Sequence, residues 1–270
     1  MKSSLIVLFN LVVFSTTLTA GNRLFEIQAN KPTANVGDYV LCPSRQFYDS
    51  AVEKGVDKTT FIYYTSRMVE AGDEESTVTS LAGTTYSLPN EFIISIPRGQ
   101  TAKVGDIVLT WWQSGSGMQR AIVVGGSNTE PMVRYLDIAY ENPSGAGKKE
   151  DKLRPDSFYV LSKPFQIGTT VAINTGRQQR FGHLLAMDDN KVLVQEFAGK
   201  LKLYDRKLAI PMPMRPEFTS GSAADAALFG GLKPITVVKV DSQIGRVFAT
   251  YQFGRTQKQK AFSFGEVMPR

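Results

Sequence analysis

The sequence predicts an all-β protein made of four tandem five-stranded barrels. The main observation is a short glycine-centred phrase that recurs at residues 36–40, 104–108 and 167–171, with a less exact copy at 232–237. The starts of the four copies lie 68, 63 and 65 residues apart. That spacing is the length of one small β-barrel rather than of a helical repeat. Short strand patterns separated by turn signals, such as the run 59–64, fill the intervals between copies.

The length, the composition and the first twenty residues favour an exported chain of several small domains. The protein has 270 residues, of which 42% are hydrophobic and 21% are charged, as in ordinary globular proteins. Lys2, the apolar run 5–14 and the small residues before Gly21 predict a secretory signal peptide over residues 1–20. The apolar run is shorter than the ~20 residues that span a bilayer. We therefore expect a product without a transmembrane segment, in the periplasm or outside the cell.

The repeat sets the expected domain boundaries. These are an N-terminal segment at 21–35, repeat one at 36–100, repeat two at 101–163, repeat three at 164–211, a linker at 212–231 and repeat four at 232–270. An apolar patch at 24–27 is expected to lie on the first domain. The prolines in the linker restrict it to extended or turn conformations, and its alanines at 223–227 predict one or two helical turns before Gly230.

Each repeat contains the same parts in the same order. A Gly-Asp bend leads into a strand, a second strand contains a small residue, a third alternates, and a one-turn break precedes a short last strand. The expected small residues of the second strands are Ala51, Ala121, Gly182 and Gly245. Small residues suit the sharp corners of a small barrel. This arrangement resembles the SH3-like barrels of the Tudor and Agenet type.

The resemblance implies peptide binding, and some Tudor domains use an aromatic cage for methylated side chains, which attracts cations to the ring faces. The candidate aromatic binding residues are Trp111, Trp112, Tyr63, Tyr64 and Tyr135. These rings do not recur at matching positions through the four copies. They serve either as a binding surface or as barrel core and packing between domains.

Charge is polarised along the chain. Residues 36–100 contain 5 basic and 9 acidic residues, whereas residues 232–270 contain 7 and 2. Such a gradient can steer an acidic partner to the C-terminal half, or let copies of the chain meet head to tail. The alternative is that the charges only keep the protein soluble. The candidate basic face consists of Lys200, Lys202, Arg206, Lys207, Arg255, Lys258 and Lys260. Export disfavours nucleic acid as a partner of this face.

The sequence shows no nucleophile motif of the common hydrolase types. A single Cys42 and a single His183 cannot provide Cys/His catalytic machinery or a common zinc site. We therefore expect no catalytic residue, no metal and no cofactor, and a surface or hydrogen-bonded imidazole at His183. Cys42 is either a small half-buried apolar residue or a thiol that bridges two chains.

These observations favour a non-enzymatic, exported scaffold or adaptor that makes protein–protein contacts in a periplasmic or extracellular assembly. One concrete version is an accessory or coat component of a filament such as a spirochaete periplasmic flagellum. Its partner would be an acidic protein or a second copy of the chain. The alternative is a cell-wall or glycan-binding module, with Trp111 and Trp112 as its first contacts. A third hypothesis is an enzyme whose catalytic carboxylates, or a Ser/Lys pair, come together only in the folded chain.

Overall fold

The computed structural model describes residues 23–141, 148–176 and 179–270. The signal peptide expected at 1–20 lies outside these residues. The described chain is predominantly β, with antiparallel sheets and one α-helix.

The first sheet is antiparallel and has the strand order β4-β3-β2-β1-β5. Its elements are β1 (Tyr39–Pro43), α1 (Arg45–Lys54), β2 (Tyr63–Glu70), β3 (Glu75–Ser80), β4 (Thr85–Pro89) and β5 (Ile94–Ser95). A 3-10 turn at Asn90–Phe92 carries the chain from β4 into β5. Helix α1 occupies the position where the sequence predicts a small-residue strand around Ala51, so that prediction is wrong. The helix buries Tyr48 and Ala51.

The second sheet repeats this arrangement with the order β10-β6-β7-β8-β9. Its strands are β6 (Ile107–Trp111), β7 (Met118–Gly126), β8 (Pro131–Tyr135), β9 (Glu150–Lys152) and β10 (Tyr159–Val160). The small residue Ala121 lies in the second strand of the sheet, as the sequence predicts, opposite Val108.

The remaining strands form one ten-stranded sheet made of two runs of five, joined where Arg180 pairs with Gly231. The third run is β11 (Thr170–Asn174), β12 (Gln179–Met187), β13 (Lys191–Glu196), β14 (Leu201–Asp205) and β15 (Ala209–Pro211). The fourth run is β16 (Ala223–Leu228), β17 (Gly231–Asp241), β18 (Arg246–Phe253), β19 (Thr256–Ser263) and β20 (Val267–Pro269). We call these two runs the third and fourth sheets.

All four sheets share one topology. In each, the fifth strand pairs with the first, and the first to fourth strands pair in sequence order. The fourth and fifth strands of a sheet are not paired with each other in the described part of the chain, so no sheet closes into a barrel through its hydrogen bonds.

The recurring phrase forms the bend that opens each sheet. The glycine at its centre has a positive φ, which favours glycine, and its N–H donates to a carbonyl on the second strand of the same sheet. These bonds are Gly37 to Met68, Gly105 to Val123, Gly168 to Leu184 and Gly221 to Val237. The fourth bend therefore lies at Gly221 and not at Leu232, which belongs to the second strand β17.

The helical turns expected at 223–227 are also wrong. This segment is strand β16, which pairs with both β17 and β20. Its residues alternate, with Ala224, Ala226 and Leu228 buried and their neighbours more exposed. Helix propensity is a weak preference, and here burial of one face of the strand overrides it. Gly245 likewise lies outside a second strand, because it occupies the turn between β17 and β18.

A continuous hydrophobic core connects the four sheets. It contains buried residues of every sheet, among them Leu41, Leu109, Leu193 and Val237. The apolar patch of the N-terminal segment packs on the first sheet, where the ring centroids of Phe25 and Phe92 are 5.9 Å apart. The sheets therefore share buried surface and are not separated by extended linkers.

Candidate functional site

A cavity of about 480 Å³ lies between the first and second sheets. We call it the inter-sheet cavity. Its aromatic lining comes from Tyr64 on β2, Tyr86 on β4 and Trp111 at the end of β6. Trp111 is fixed by its contact with Tyr39, whose ring centroid is 4.8 Å away. Tyr86 is fixed by donating its hydroxyl to the carbonyl of Pro43 at 3.2 Å.

The charged residues of the inter-sheet cavity all have one sign. Arg45 and Arg154 line it, and no Asp or Glu does so among the described residues. Arg45 is held by Asp49, whose carboxylate lies 2.8 Å from its Nε. Helix α1 also begins at the cavity, and Ser44 makes no side-chain cap there. Free N–H groups at a helix start favour negative charge, so the cavity is suited to an anionic group.

The five predicted aromatic residues do not form one site. Trp111 and Tyr64 line the inter-sheet cavity. Tyr63 and Tyr135 are core residues that are each 1% exposed. Trp112 is half-buried and donates from Nε1 to the carbonyl of Lys148 at 2.9 Å. Sequence reasoning missed Tyr86, since nothing in its local sequence distinguishes it from other strand tyrosines.

A second candidate surface is formed by exposed phenylalanines on the third and fourth sheets. Phe197, Phe229 and Phe253 are 69%, 66% and 50% exposed, and we call them the phenylalanine surface. The ring centroids of Phe229 and Phe253 are 5.7 Å apart. Phe197 lies beside Gly230, because a Cβ placed on that glycine would be 3.4 Å from the Phe197 Cβ. Sequence reasoning missed these residues, which lie at turns that only the fold brings together.

Phe229 has an unfavourable backbone conformation. Phe229 and Gly230 form the two-residue connection between β16 and β17, with φ values of 52° and 77°. Hairpin turns with two positive φ values prefer Asn-Gly, and a bulky residue with positive φ is an outlier. Because the Phe229 ring is exposed, its burial contributes little stabilisation that could offset this backbone strain. Backbone strain at an exposed residue is typical of a position that contacts another molecule.

Three of the predicted basic residues lie near the phenylalanine surface. Lys258 Nζ is 4.5 Å from the centroid of the Phe253 ring. Arg255 is exposed in the same hairpin. Lys260 lines a cavity of about 260 Å³ together with Phe197 and Phe229.

Two carboxylates also line that smaller cavity, Glu196 and Glu266. Both have partners: Glu196 accepts from the hydroxyl of Tyr204, and Glu266 accepts from the N–H of Ser263. These neutral donors leave both carboxylates charged inside the cavity, while Arg255 and Lys258 supply the positive charge of the hairpin at 253–258.

The other four predicted basic residues lie on the third sheet. Lys200 donates to the carbonyl of Thr59 at 3.0 Å, and Lys202 Nζ is 3.9 Å from Asp57 Oδ1. Arg206 donates to the carbonyl of Asp188, whereas Lys207 is exposed. Lys200 therefore connects the third sheet to the segment between α1 and β2, whereas the exposed pair of Lys202 with Asp57 contributes little. The seven basic residues are divided between two sheets.

A buried polar cluster joins the second, third and fourth sheets, and we call it the arginine junction. Arg120 on β7 is 2% exposed and pairs with Asp137 at 2.6 Å. Its Nη1 also donates to the carbonyl of Phe264, and the Thr170 hydroxyl donates to the carbonyl of Gly265. Arg246, 3% exposed, donates to the carbonyls of Tyr135 and Ile138.

The junction shifts the pKa values of its titratable groups. Burial acts to raise the pKa of Asp137, but the charge of Arg120 and the hydrogen bonds that it donates outweigh it, and the pKa is below its ordinary value. Burial and the charge of Arg120 lower the pKa of His183 to about 4, although Asp137 acts in the opposite direction. The Nδ1 atom of His183 is buried and has no hydrogen-bond partner within the described chain. The expected hydrogen-bonded imidazole is not observed at this atom.

Neither a metal cluster nor a membrane-spanning helix occurs among the described residues. No group of three or more His, Cys, Asp or Glu side chains in residues 23–141, 148–176 and 179–270 is arranged to hold a metal ion. In the same residues, no helix combines the length and apolar character needed to cross a bilayer. In comparisons with known proteins, no protein-family model matches the chain, and no curated protein sequence matches it.

Proposed function

We propose that this protein is a non-enzymatic, exported adaptor of four SH3-like units, which binds an acidic protein through the phenylalanine surface. The observation that carries the proposal is the strained and exposed Phe229, packed against Phe253 and bordered by Lys258. The assembly in which it acts is periplasmic or extracellular, and the accessory or coat layer of an exported filament is one such setting.

The SH3-like assignment of the units is supported by the repeated topology. Each sheet has the order fourth, third, second, first, fifth, and each begins at the same glycine bend. In the first and third sheets a 3-10 turn, at Asn90–Phe92 and Arg206–Leu208, precedes the fifth strand. Five short antiparallel strands in this order are typical of small SH3-like barrels.

A scaffold role is supported by the way the units are joined. The arginine junction connects three sheets, and the hydrophobic core is continuous across all four. Separate binding modules on flexible linkers need neither feature. Units fixed in this way can hold several partners at set distances, which is the physical requirement for a structural adaptor.

The choice of an acidic partner follows from charge complementarity. Arg255 and Lys258 border the exposed rings, and residues 232–270 contain 7 basic and 2 acidic residues. Exposed aromatic residues surrounded by charge are common at the centre of protein interfaces. Positive residues at the rim increase the association rate with an acidic surface. The acidic first repeat of another copy is one surface that meets this description.

The test is affinity purification from the native cell envelope with the wild-type protein and matched variants. We expect Phe253→Ser and Lys258→Gln to lose the partner recovered by the wild type, and binding to weaken as salt rises. Val104→Ser, at an exposed apolar residue just before β6 of the second sheet, is the control and should retain it. Recovery of the same partner by all four proteins would contradict the proposal. Sedimentation of the purified protein distinguishes self-association from a different partner.

A further inference from the structure

We propose that the inter-sheet cavity binds an acidic sugar, such as the uronic acid residues of a polysaccharide. The proposal is independent of the phenylalanine surface, since it depends on different residues of different sheets. It rests on the volume of the cavity, on its aromatic residues, on the sign of its charges and on its many hydroxyl groups.

The size and aromatic lining of the cavity fit a ring-shaped ligand. Its volume of about 480 Å³ lies in the range of small-molecule pockets, roughly 300–1,000 Å³. Tyr64, Tyr86 and Trp111 line it from three different strands. The C–H face of a sugar ring carries a slight positive charge, which is attracted to the electron-rich face of an aromatic ring. Tyr64 and Trp111 are held by ring contacts with Phe47 and Tyr39, so their positions are set before a ligand binds.

The charges of the cavity select for an anion. Arg45 and Arg154 are its charged residues, and no carboxylate lines it among the described residues. Arg45 is already paired with Asp49. Arg154 is exposed, and no ion pair of its side chain occurs in the described chain. Arg154 can therefore pair with a ligand carboxylate in the two-pronged geometry that arginine favours.

The remaining lining favours a sugar over an acidic peptide. Six serines and threonines line the cavity, whereas Leu81 is the aliphatic side chain there among the described residues. Hydroxyl groups both donate and accept hydrogen bonds, which suits a ligand with many hydroxyls. Thr65 is 7% exposed, and its hydroxyl has no hydrogen-bond partner in the described chain. An acidic peptide would offer carboxylates to the arginines but few hydroxyl groups to pair with these side chains.

The experiment titrates the full-length mature protein with oligomers of galacturonic acid and with neutral galactose oligomers of equal length. The sequence has two tryptophans, so a Trp112→Phe background leaves Trp111 as the fluorescence reporter inside the cavity. We expect saturable quenching by the acidic oligomers and at least tenfold weaker binding of the neutral ones. Arg154→Gln removes one charge-assisted pair with the ligand, so we expect it to weaken binding of the acidic oligomer about tenfold.

Matched controls show whether the acidic oligomer binds in this cavity. Arg270→Gln removes another exposed arginine, next to strand β20, and should leave the affinity unchanged. Circular dichroism melts of each variant check that the fold is intact. Equal affinity for acidic and neutral oligomers, or no effect of Arg154→Gln, would overturn the proposal. Saturable binding of tetraglutamate in place of the sugar would also overturn it, in favour of a peptide site. The adaptor proposal would survive each of these results, because Phe253→Ser tests it separately.

Discussion

Arg246 on the fourth sheet donates from Nη2 to the carbonyl oxygen of Tyr135 on the second sheet, at 2.9 Å. The two residues are 111 positions apart in the sequence. A buried guanidinium needs partners for its donors, and here the second sheet and the segment after it supply two, the carbonyls of Tyr135 and Ile138. The packing of the second sheet against the fourth is therefore fixed by a hydrogen bond as well as by apolar contact.

Breaking the buried ion pair of the arginine junction should destabilise the protein strongly. Asp137→Asn leaves Arg120 buried with an unbalanced charge, and we expect a loss of about 3 kcal/mol in the free energy of unfolding. Urea unfolding measures this loss. Lys191→Gln, which removes an exposed pair with Asp205, is the control and should change stability little. A loss no larger than that of the control would show that the pair does not hold the junction together.

The stability of the protein should fall in mildly acidic solution because of His183. Its pKa is about 4 in the folded chain, against about 6.5 when unfolded. The unfolded state therefore binds more protons between these values, and the free energy of unfolding decreases as pH falls through this window. Allowing for partial exposure, we expect a decrease of roughly 2 kcal/mol by pH 4.

This pH dependence can be isolated because the sequence has one histidine. His183→Gln should remove the part of the decrease that lies between pH 6.5 and 4, while carboxylate titration remains in both proteins. Urea unfolding of wild type and variant at pH 7.5, 5.5 and 4.5 gives the comparison. Parallel curves for the two proteins would contradict the assigned role of the imidazole.

Two equivalent bend glycines should respond differently to alanine. Gly105 and Gly168 have φ values of 89° and 92°, so alanine is strained at both. A Cβ at Gly105 would meet nothing within 4 Å, whereas one at Gly168 would lie 2.7 Å from the Leu109 side chain on the second sheet. We expect Gly105→Ala to cost about 1 kcal/mol and Gly168→Ala about 2–3 kcal/mol, measured by thermal unfolding. Equal losses would mean that Leu109 moves aside freely.

Cys42 should resist alkylation in the native protein. Its side chain is 0% exposed, and burial raises the pKa of the thiol, which keeps it protonated. Only the thiolate reacts rapidly. We expect iodoacetamide to label the protein slowly in buffer and completely in urea, as followed by mass spectrometry. Rapid labelling of the folded protein would support the alternative of an accessible thiol that bridges two chains.

Replacing Phe229 by asparagine should stabilise the isolated protein. Asparagine tolerates positive φ and is preferred in this type of turn, so we expect a gain of about 0.5–1 kcal/mol. Phe197→Asn is the control, because Phe197 is similarly exposed, at 69%, but is not among the described residues with positive φ. A thermal unfolding series compares the two variants. A gain in stability from Phe229→Asn together with loss of partner binding would indicate that the strained turn is retained because the exposed ring is needed for binding.

The sequence predicted the parts of the fold that depend on local chemistry. The Gly-Asp phrases predicted the bends at Gly37 and Gly105, since positive φ restricts that position to few residue types. The bend at Gly221 was missed because its flanking residues share little with the other copies. Strand β16 was missed since a short segment of small residues is compatible with several conformations. Helix α1 was missed because the strand prediction rested on the small residues 50–52, which are only part of its ten residues.

The sequence by itself determined an all-β chain with a recurring bend, because strand alternation and glycine conformation are local properties. Trp111 and Tyr63 are both buried strand residues, and tertiary structure alone decided that Trp111 borders the inter-sheet cavity whereas Tyr63 does not. It also decided the contact of Arg120 with Phe264, which are 144 residues apart. Such contacts depend on how sheets pack, and no local pattern encodes a partner at that distance.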